Sequence, residues 1–319
     1  MKLSVPEISK QIYSQETLDV LINQYADIGP KWTVHQMEWT NTIYQSFKDH
    51  EKFLIVIYLT KKTLDFYSRN FTKVSYEDFY SKDTVEIEKF NVIEIANQIN
   101  IPKESARRKI IELEKKGVIL RSKKKIIIDR SAFPFIKPIN SVKRMSRFLS
   151  ILSGMLMENK ILQKKFTSDE LEKIIKANFS YVWKLYYELQ IPMMLSYKKI
   201  FGDIESFAIY GTCVVNQHHL SSKKLNKNKL NRQEFLQSTY SDINMQGVSA
   251  MSISDITGIP RATVVRKLKK LLNKKILKIN NKKHYSLTGP FVNKLMPLQS
   301  VVLKRLADFS TKIYNLAIL

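Results

Sequence analysis

One cysteine, eight glycines and nine prolines stand among the 319 residues of this chain. The lone Cys213 excludes an internal disulfide and any cysteine-rich zinc site. So few glycines form no phosphate-cradling loop. Long hydrophobic runs are missing as well. The stretch Phe53 to Leu59 is far short of the ~20 residues that span a bilayer. The opening Met1-Lys2-Leu3-Ser4-Val5-Pro6-Glu7 has no apolar signal-peptide core. A cytoplasmic protein without a membrane partner is expected. The histidines (His35, His50, His218, His219, His284) are scattered, and His218-His219 has no carboxylate at ligand spacing, so no metal site is expected. No catalytic constellation is visible, and neither enzymatic activity nor a cofactor is expected.

Acidic residues are also scarce. Against 29 Asp and Glu stand 53 Lys and Arg, for a formal net charge of +24. That excess favours a polyanionic partner, nucleic acid before an anionic membrane surface. Most of these cations are Lys, in a composition rich in Ile and Asn, as an A/T-rich genome produces; Arg is therefore the more informative base. Five of the arginines (Arg107, Arg108, Arg121, Arg261, Arg266) fall in two short segments, 95–121 and 253–279. The charge is also lopsided, at +5 over residues 1–140 and +19 over residues 141–319. The second part should supply most of the attraction for phosphate.

Those two segments repeat one another. Ile95-Ala96-Asn97-Gln98-Ile99-Asn100-Ile101-Pro102-Lys103-Glu104-Ser105-Ala106-Arg107-Arg108-Lys109-Ile110 aligns without a gap, 158 positions on, with Ile253-Ser254-Asp255-Ile256-Thr257-Gly258-Ile259-Pro260-Arg261-Ala262-Thr263-Val264-Val265-Arg266-Lys267-Leu268. Aromatic-apolar helices, Glu51 to Tyr67 and Glu205 to His218, precede each copy. The chain reads as a duplicated module, residues 1–140 and 141–319, with a boundary where Pro134, Pro138 and Asn140-Ser141 break the helical pattern. Apolar periodicity predicts helices at Ile8 to Ala26, Trp39 to Phe47 and Glu51 to Tyr67 in the first module. In the second it predicts Val142 to Glu158, Ser168 to Leu189 and Ile204 to Leu220. Ser221 to Asn231 reads as a solvated basic loop.

Each copy spells a helix, a tight turn, a second helix and a basic hairpin. In the second, Ser252 is expected to cap a short helix that ends at Gly258, which suits a left-handed residue. Ile259 plugs the core, and Pro260 takes a first-turn position. Over Arg261 to Asn273, Val264, Leu268 and Leu271 should face inward and Arg261, Thr263, Val265 and Arg266 outward. In the first copy Asn100 replaces the glycine. There Ala106, Ile110 and Leu113 face inward and Lys103, Ser105, Arg107 and Arg108 outward. Glu104 either accepts from a cytosine amino group or simply favours the helix N-terminus. Short β-type runs then flank Arg121-Ser122-Lys123-Lys124-Lys125 and Asn280-Asn281-Lys282-Lys283-His284. Cations at such tips, beside an outward-facing helix start, suit phosphate contact.

The runs Ile259 to Leu268 and Asn273-Lys274-Lys275-Ile276-Leu277 resemble the winged-helix DNA-binding domains of bacterial transcription regulators of the MarR and Crp types. The resemblance implies a mainly α fold with small β-hairpin wings, in two winged-helix modules (about 85–130 and 245–290). It implies double-stranded DNA as partner, with Thr263 and Arg266, and Ser105 and Arg108, at DNA-contacting positions. Wing contacts would come from Arg121, Lys123, Lys124 and Lys125, and from Asn281, Lys282, Lys283 and His284. One departure is Lys275, where the family's wing strand opens on glycine; Gly117 keeps it in the first copy.

The expected function is transcription regulation through two recognition helices in major grooves. Alternatives are a plasmid-type replication initiator, which also pairs two winged helices in one chain, and a winged-helix protein-interaction module. The apolar helices Ile8 to Ala26, Val142 to Leu156 and Val301 to Leu319 are open to two roles, pairing chains into a homodimer or closing each module's core. Cys213 and the aromatics Trp32, Trp39, Phe179, Tyr181, Trp183, Tyr186 and Tyr187 read as core, with an effector pocket as the alternative for the aromatics. No effector is named by the sequence.

Overall fold

A computed structural model describes residues 7–122, 125–132, 139–224, 230–241 and 246–318. The chain begins with α1 (Ser14–Asn23), α2 (Tyr25–Phe47), α3 (His50–Arg69) and the single turn α4 (Tyr76–Phe79). Next come β1 (Thr84–Ile87), α5 (Val92–Gln98), α6 (Lys103–Lys115), β2 (Ile119–Arg121), β3 (Ile126–Asp129) and α7 (Ile139–Glu158). The same succession then repeats as α8 (Ser168–Ala177), α9 (Phe179–Phe201), α10 (Ile204–Lys224), α11 (Arg232–Ser241), β4 (Val248–Ser249), α12 (Ala250–Thr257), α13 (Arg261–Asn273), β5 (Leu277–Ile279), β6 (His284–Leu287) and α14 (Gly289–Ile318). The protein is mainly helical, with two antiparallel three-stranded sheets in the orders β1-β3-β2 and β4-β6-β5. No helix among the described residues is long and apolar enough to cross a membrane.

Several helix boundaries differ from the periodicity. The predicted helix from Ile8 begins only at Ser14, because Ile12 is held by Asn315: its N–H donates to Oδ1 (2.9 Å) and its carbonyl accepts from Nδ2 (3.0 Å). Trp39 to Phe47 is the end of a longer helix, since Pro30 sits near the start of α2, where a missing N–H costs one bond without a break. Ser168 to Leu189 breaks at Asn178, whose side chain donates to the Ile174 carbonyl (2.9 Å). Helix α10 runs on through Lys224 with Ser221 buried, so the predicted loop starts later than expected. Asn140 and Ser141 lie inside α7, while Pro134 and Pro138 fall outside the described residues.

The third strand of each sheet is absent from the sequence reading. Both are short: Thr84-Val85-Glu86-Ile87 pairs with β3, and Val248-Ser249 pairs with β6, opposite Tyr285 and His284. In the hairpins, Ile119 faces Ile128 and Leu277 faces Leu287, four buried residues that fasten each ribbon to its helices.

The two runs of elements pack reciprocally. Helix α2 lies on α10 while α9 lies on α3, and α1 lies on α14 while α8 lies on α7. Contacts in which i meets j and the equivalent of j meets the equivalent of i are the mark of two-fold symmetry. Polar links seal both ends: Thr17 and Thr311 hydroxyls meet at 2.8 Å, and the Phe166 N–H donates to Ser153 Oγ at 3.0 Å. The apolar faces of α1, α7 and α14 are thereby covered within the chain, in one core spanning both runs. Trp32, Trp39, Phe179, Trp183, Tyr186 and Tyr187 belong to that core; Tyr181 does not and lies at the surface. Cys213 is buried, and burial pushes its thiol up to about 12.

Candidate nucleic-acid interface

In the second run, Ser249 caps α12 through its hydroxyl, which accepts from the Ser252 N–H (3.1 Å). The cap therefore lies three residues before the expected Ser252. Gly258 ends the helix at φ 70°, and its N–H donates to the Ser254 carbonyl (2.8 Å). Ile259 is fully buried and held from both sides, its carbonyl accepting from Ser254 Oγ (2.7 Å) and its N–H donating to Thr257 Oγ1 (3.2 Å). Pro260 stands one residue before the helix, at φ −54° and ψ 136°, and not in its first turn. The first run repeats this with an Asn91 cap, Asn100 at φ 52° and buried Ile101.

On both second helices the residues divide as the spacing predicts. Val264, Leu268 and Leu271 are buried, as are Ala106, Ile110 and Leu113. Arg261, Val265 and Arg266 are exposed and Thr263 is half-buried; Lys103, Arg107 and Arg108 are exposed and Ser105 is half-buried.

Their electrostatics differ. Helix α6, Lys-Glu-Ser-Ala-Arg-Arg-Lys-Ile-Ile-Glu-Leu-Glu-Lys, mixes acids with its bases. Arg107 lies 3.9 Å from Glu104, and Arg108 lies 3.9 Å from Glu112. Arg121 pairs with Glu114 and covers the Phe90 ring at 4.9 Å. Helix α13, Arg-Ala-Thr-Val-Val-Arg-Lys-Leu-Lys-Lys-Leu-Leu-Asn, has no acid at all. Among the described residues no carboxylate pairs with Arg261 or Arg266. The outward cations of the second helix are thus free to meet a partner, whereas those of the first are partly neutralised within the chain.

The hairpin tips are partly described. Lys123 and Lys124 lie outside the described residues. Lys125 is exposed, its carbonyl accepting from the Ser122 N–H at 2.8 Å. In the second tip the Asn280 side chain accepts from the Lys282 and His284 N–H groups, both at 3.0 Å, and Lys283 takes φ 57°. Asn281, Lys282 and Lys283 project into solvent. His284 opens β6 instead, half-buried opposite Ser249.

Two residues escaped the sequence reading. Lys109 and Lys267 lie on the inner faces of α6 and α13, both buried. Lys109 pairs with Asp49 and, at 3.3 Å, with Glu51. Lys267 pairs with Asp203 at 2.7 Å and with Glu205 at 3.8 Å. Burial pushes the Asp203 carboxyl up, but Lys267 and Ser206 together hold it below the usual carboxylate value. Each acid pair is bound across the two-fold as well, Glu51 to Lys198 at 2.8 Å and Glu205 to His50 Nδ1 at 3.2 Å. His50 Nε2 lies 3.2 Å from the Thr40 carbonyl, so both its ring nitrogens face acceptors. These lysines tie each second helix to the start of the third helix of its own run, and the acids that they pair with carry the link to the opposite run. Their signal was identity at one position of the gapless alignment, within the apolar phase of the helix.

The described residues hold no cluster of three or more His, Cys, Asp or Glu side chains fit for a metal ion. No protein-family model, curated protein or solved structure compared with this chain matches it.

Proposed function

We propose that the chain binds double-stranded DNA, without catalysing a reaction, as a transcription regulator built on two winged helix-turn-helix units from an internal duplication. The observation that carries this reading is the outer face of α13: Arg261, Thr263, Val265 and Arg266 stand at the N-terminal end of a helix with no acid in it. The start of such a helix is the part that reaches base edges in a major groove. Lys282 and Lys283 at the adjoining hairpin tip suit phosphate.

Two-fold packing within one chain turns the two second helices into a related pair. The preferred site is then an inverted repeat. It is an imperfect one, because Arg107 stands opposite Val265 and Glu104 opposite Ala262 in the alignment. The second unit carries more of the grip.

Duplex binding measured against salt concentration, on random and on selected sequences, tests the proposal. Affinity should fall linearly on logarithmic axes, by about 0.9 in slope per phosphate contact. Arg266→Ala should cost about 1–3 kcal/mol on the selected duplex and relax base choice. Lys282→Ala should weaken all duplexes alike and flatten the slope by about one. Binding without salt dependence, or equal losses for both variants on every duplex, overturns the reading.

A further inference from the structure

Two grooves occupy equivalent places in the two runs of elements and differ in character. One, of ≈ 420 Å³, lies between α2, α7 and α10. The other, of ≈ 150 Å³, lies between α9 and α14. Lys31, Val34 and His35 of α2 occupy the turns that Leu185, Glu188 and Leu189 occupy in α9. Likewise Arg144, Arg147 and Phe148 of α7 match Arg305, Asp308 and Phe309 of α14 in phase, and both phenylalanines are buried.

The smaller groove has ion pairs at its edge. Glu188 reaches Lys184 at 3.2 Å and Lys61 at 3.8 Å, and Lys61 holds Asp65 at 2.7 Å. Both of its lining acids are missing from the larger groove, where Val34 replaces Glu188 and Arg147 replaces Asp308; His219 there stands in the place of Asp65, which Lys61 links to Glu188 beside the smaller groove. Among the described residues the larger groove therefore keeps Lys31, Arg144 and Arg147 against one lining carboxylate, Glu38, which lies 3.6 Å from Arg144 Nε.

Its buried edge is polar where its twin is apolar. His35, 5% exposed, takes the place of Leu189. Its Nε2 lies 3.2 Å from the Tyr186 hydroxyl, and its Nδ1 has no hydrogen-bond partner among the described residues. Arg144 Nε is buried and makes no hydrogen bond among the described residues, with the Glu38 carboxylate at 3.6 Å as its ion-pair partner. Val34, Phe148, Ile151 and Val215 supply an apolar wall beside these groups.

We propose that the larger groove binds a small amphipathic organic anion, a carboxylate or a phosphate monoester on an apolar body. The acid group meets Arg144 and Arg147, whose planar donors suit such oxyanions, and the apolar body lies on Phe148 and Ile151. The volume is within the range of about 300–1,000 Å³ typical of small-molecule sites. This site is independent of the duplex-binding reading and stands or falls separately from it.

Equilibrium dialysis of the full chain against 2-naphthoate, 2-naphthyl phosphate and neutral 2-naphthalenemethanol tests it. At least one acid should saturate a single site at least about tenfold more tightly than the alcohol, and the tighter acid identifies the class. Val34→Glu and Arg147→Asp restore the twin groove's acids at exposed positions, and each should weaken that acid by about tenfold or more. Arg147→Gln, which adds no acid, should weaken it by about threefold, while Arg305→Ala in the twin groove should leave it unchanged. Failure of both acids to saturate by about 1 mM, or unchanged affinity in Val34→Glu and Arg147→Asp, overturns the proposal.

Discussion

Replacing Lys267 with Met removes the charge from the inner face of α13 and keeps a side chain of similar length. The lysine is 11% exposed, and the acids that it serves, Asp203 and Glu205, are 29% and 22% exposed. Breaking a buried pair by removing one partner costs about 3–5 kcal/mol. Asp203 keeps the Ser206 N–H at 2.7 Å, and Glu205 keeps His50. Both also retain some water, so the cost here is about 2–4 kcal/mol. That is a large share of the ~5–15 kcal/mol that holds a typical fold together. Urea unfolding followed by circular dichroism measures it, with Asp203→Asn and the double variant completing a cycle. The double variant should regain more than about 1 kcal/mol relative to additivity. The carboxyl of Asp203 sits below its unfolded value, so the pair's contribution is present above that value and is lost as pH falls through the folded one. The difference between Lys267→Met and the native chain should therefore shrink below about pH 4. A loss under about 0.5 kcal/mol at neutral pH, or strict additivity in the cycle, refutes the anchoring role.

Other outcomes follow from the same geometry. Burial lowers His35 to about 3, with help from Arg144, and burial lowers His218 to about 4. The unfolded chain accepts protons that these sites refuse, so their stability is present above about pH 6.5 and drains away below it. Together they should remove about 2–3 kcal/mol between pH 7.5 and 5.5, and His35→Gln should halve that loss in unfolding titrations across the range. Arg121→Ala should lower stability by about 0.5–1.5 kcal/mol through its Glu114 and Phe90 contacts, with duplex affinity changed by less than about threefold. Lys275 holds φ 55°, a left-handed geometry costly for a side chain, so Lys275→Gly should raise the unfolding free energy by about 0.5–1 kcal/mol.

Much of the second-helix geometry was legible because local rules act alone there. Gly258 and Asn100 at positive φ, the buried Ile259, and the inward phase of Val264, Leu268 and Leu271 follow from spacing and turn chemistry. What escaped was non-local. The short β1 and β4 exist because β3 and β6 offer them an edge, and four residues or fewer carry no period to read. Helix ends shifted where a distant partner intervened, as Asn315 does at Ile12. Lysine, discounted as compositional drift, concealed Lys109 and Lys267, because a buried cation is recognised by its acids and those lie about sixty residues upstream. The two grooves were invisible for the same reason, each being assembled from helices far apart in the chain.

Reciprocal packing inside a single polypeptide makes the protein equivalent to a dimer that never dissociates. The pairing of α1 with α14 and of α8 with α7 is unimolecular, so it does not loosen on dilution as an association of separate subunits would. It also frees the halves from identity. In a homodimer every substitution appears on both sides of the axis; here one helix could shed its acids while its counterpart kept them, and one groove could widen while its twin stayed narrow. Symmetry supplies the frame, and a shared backbone lets the two sides specialise within it.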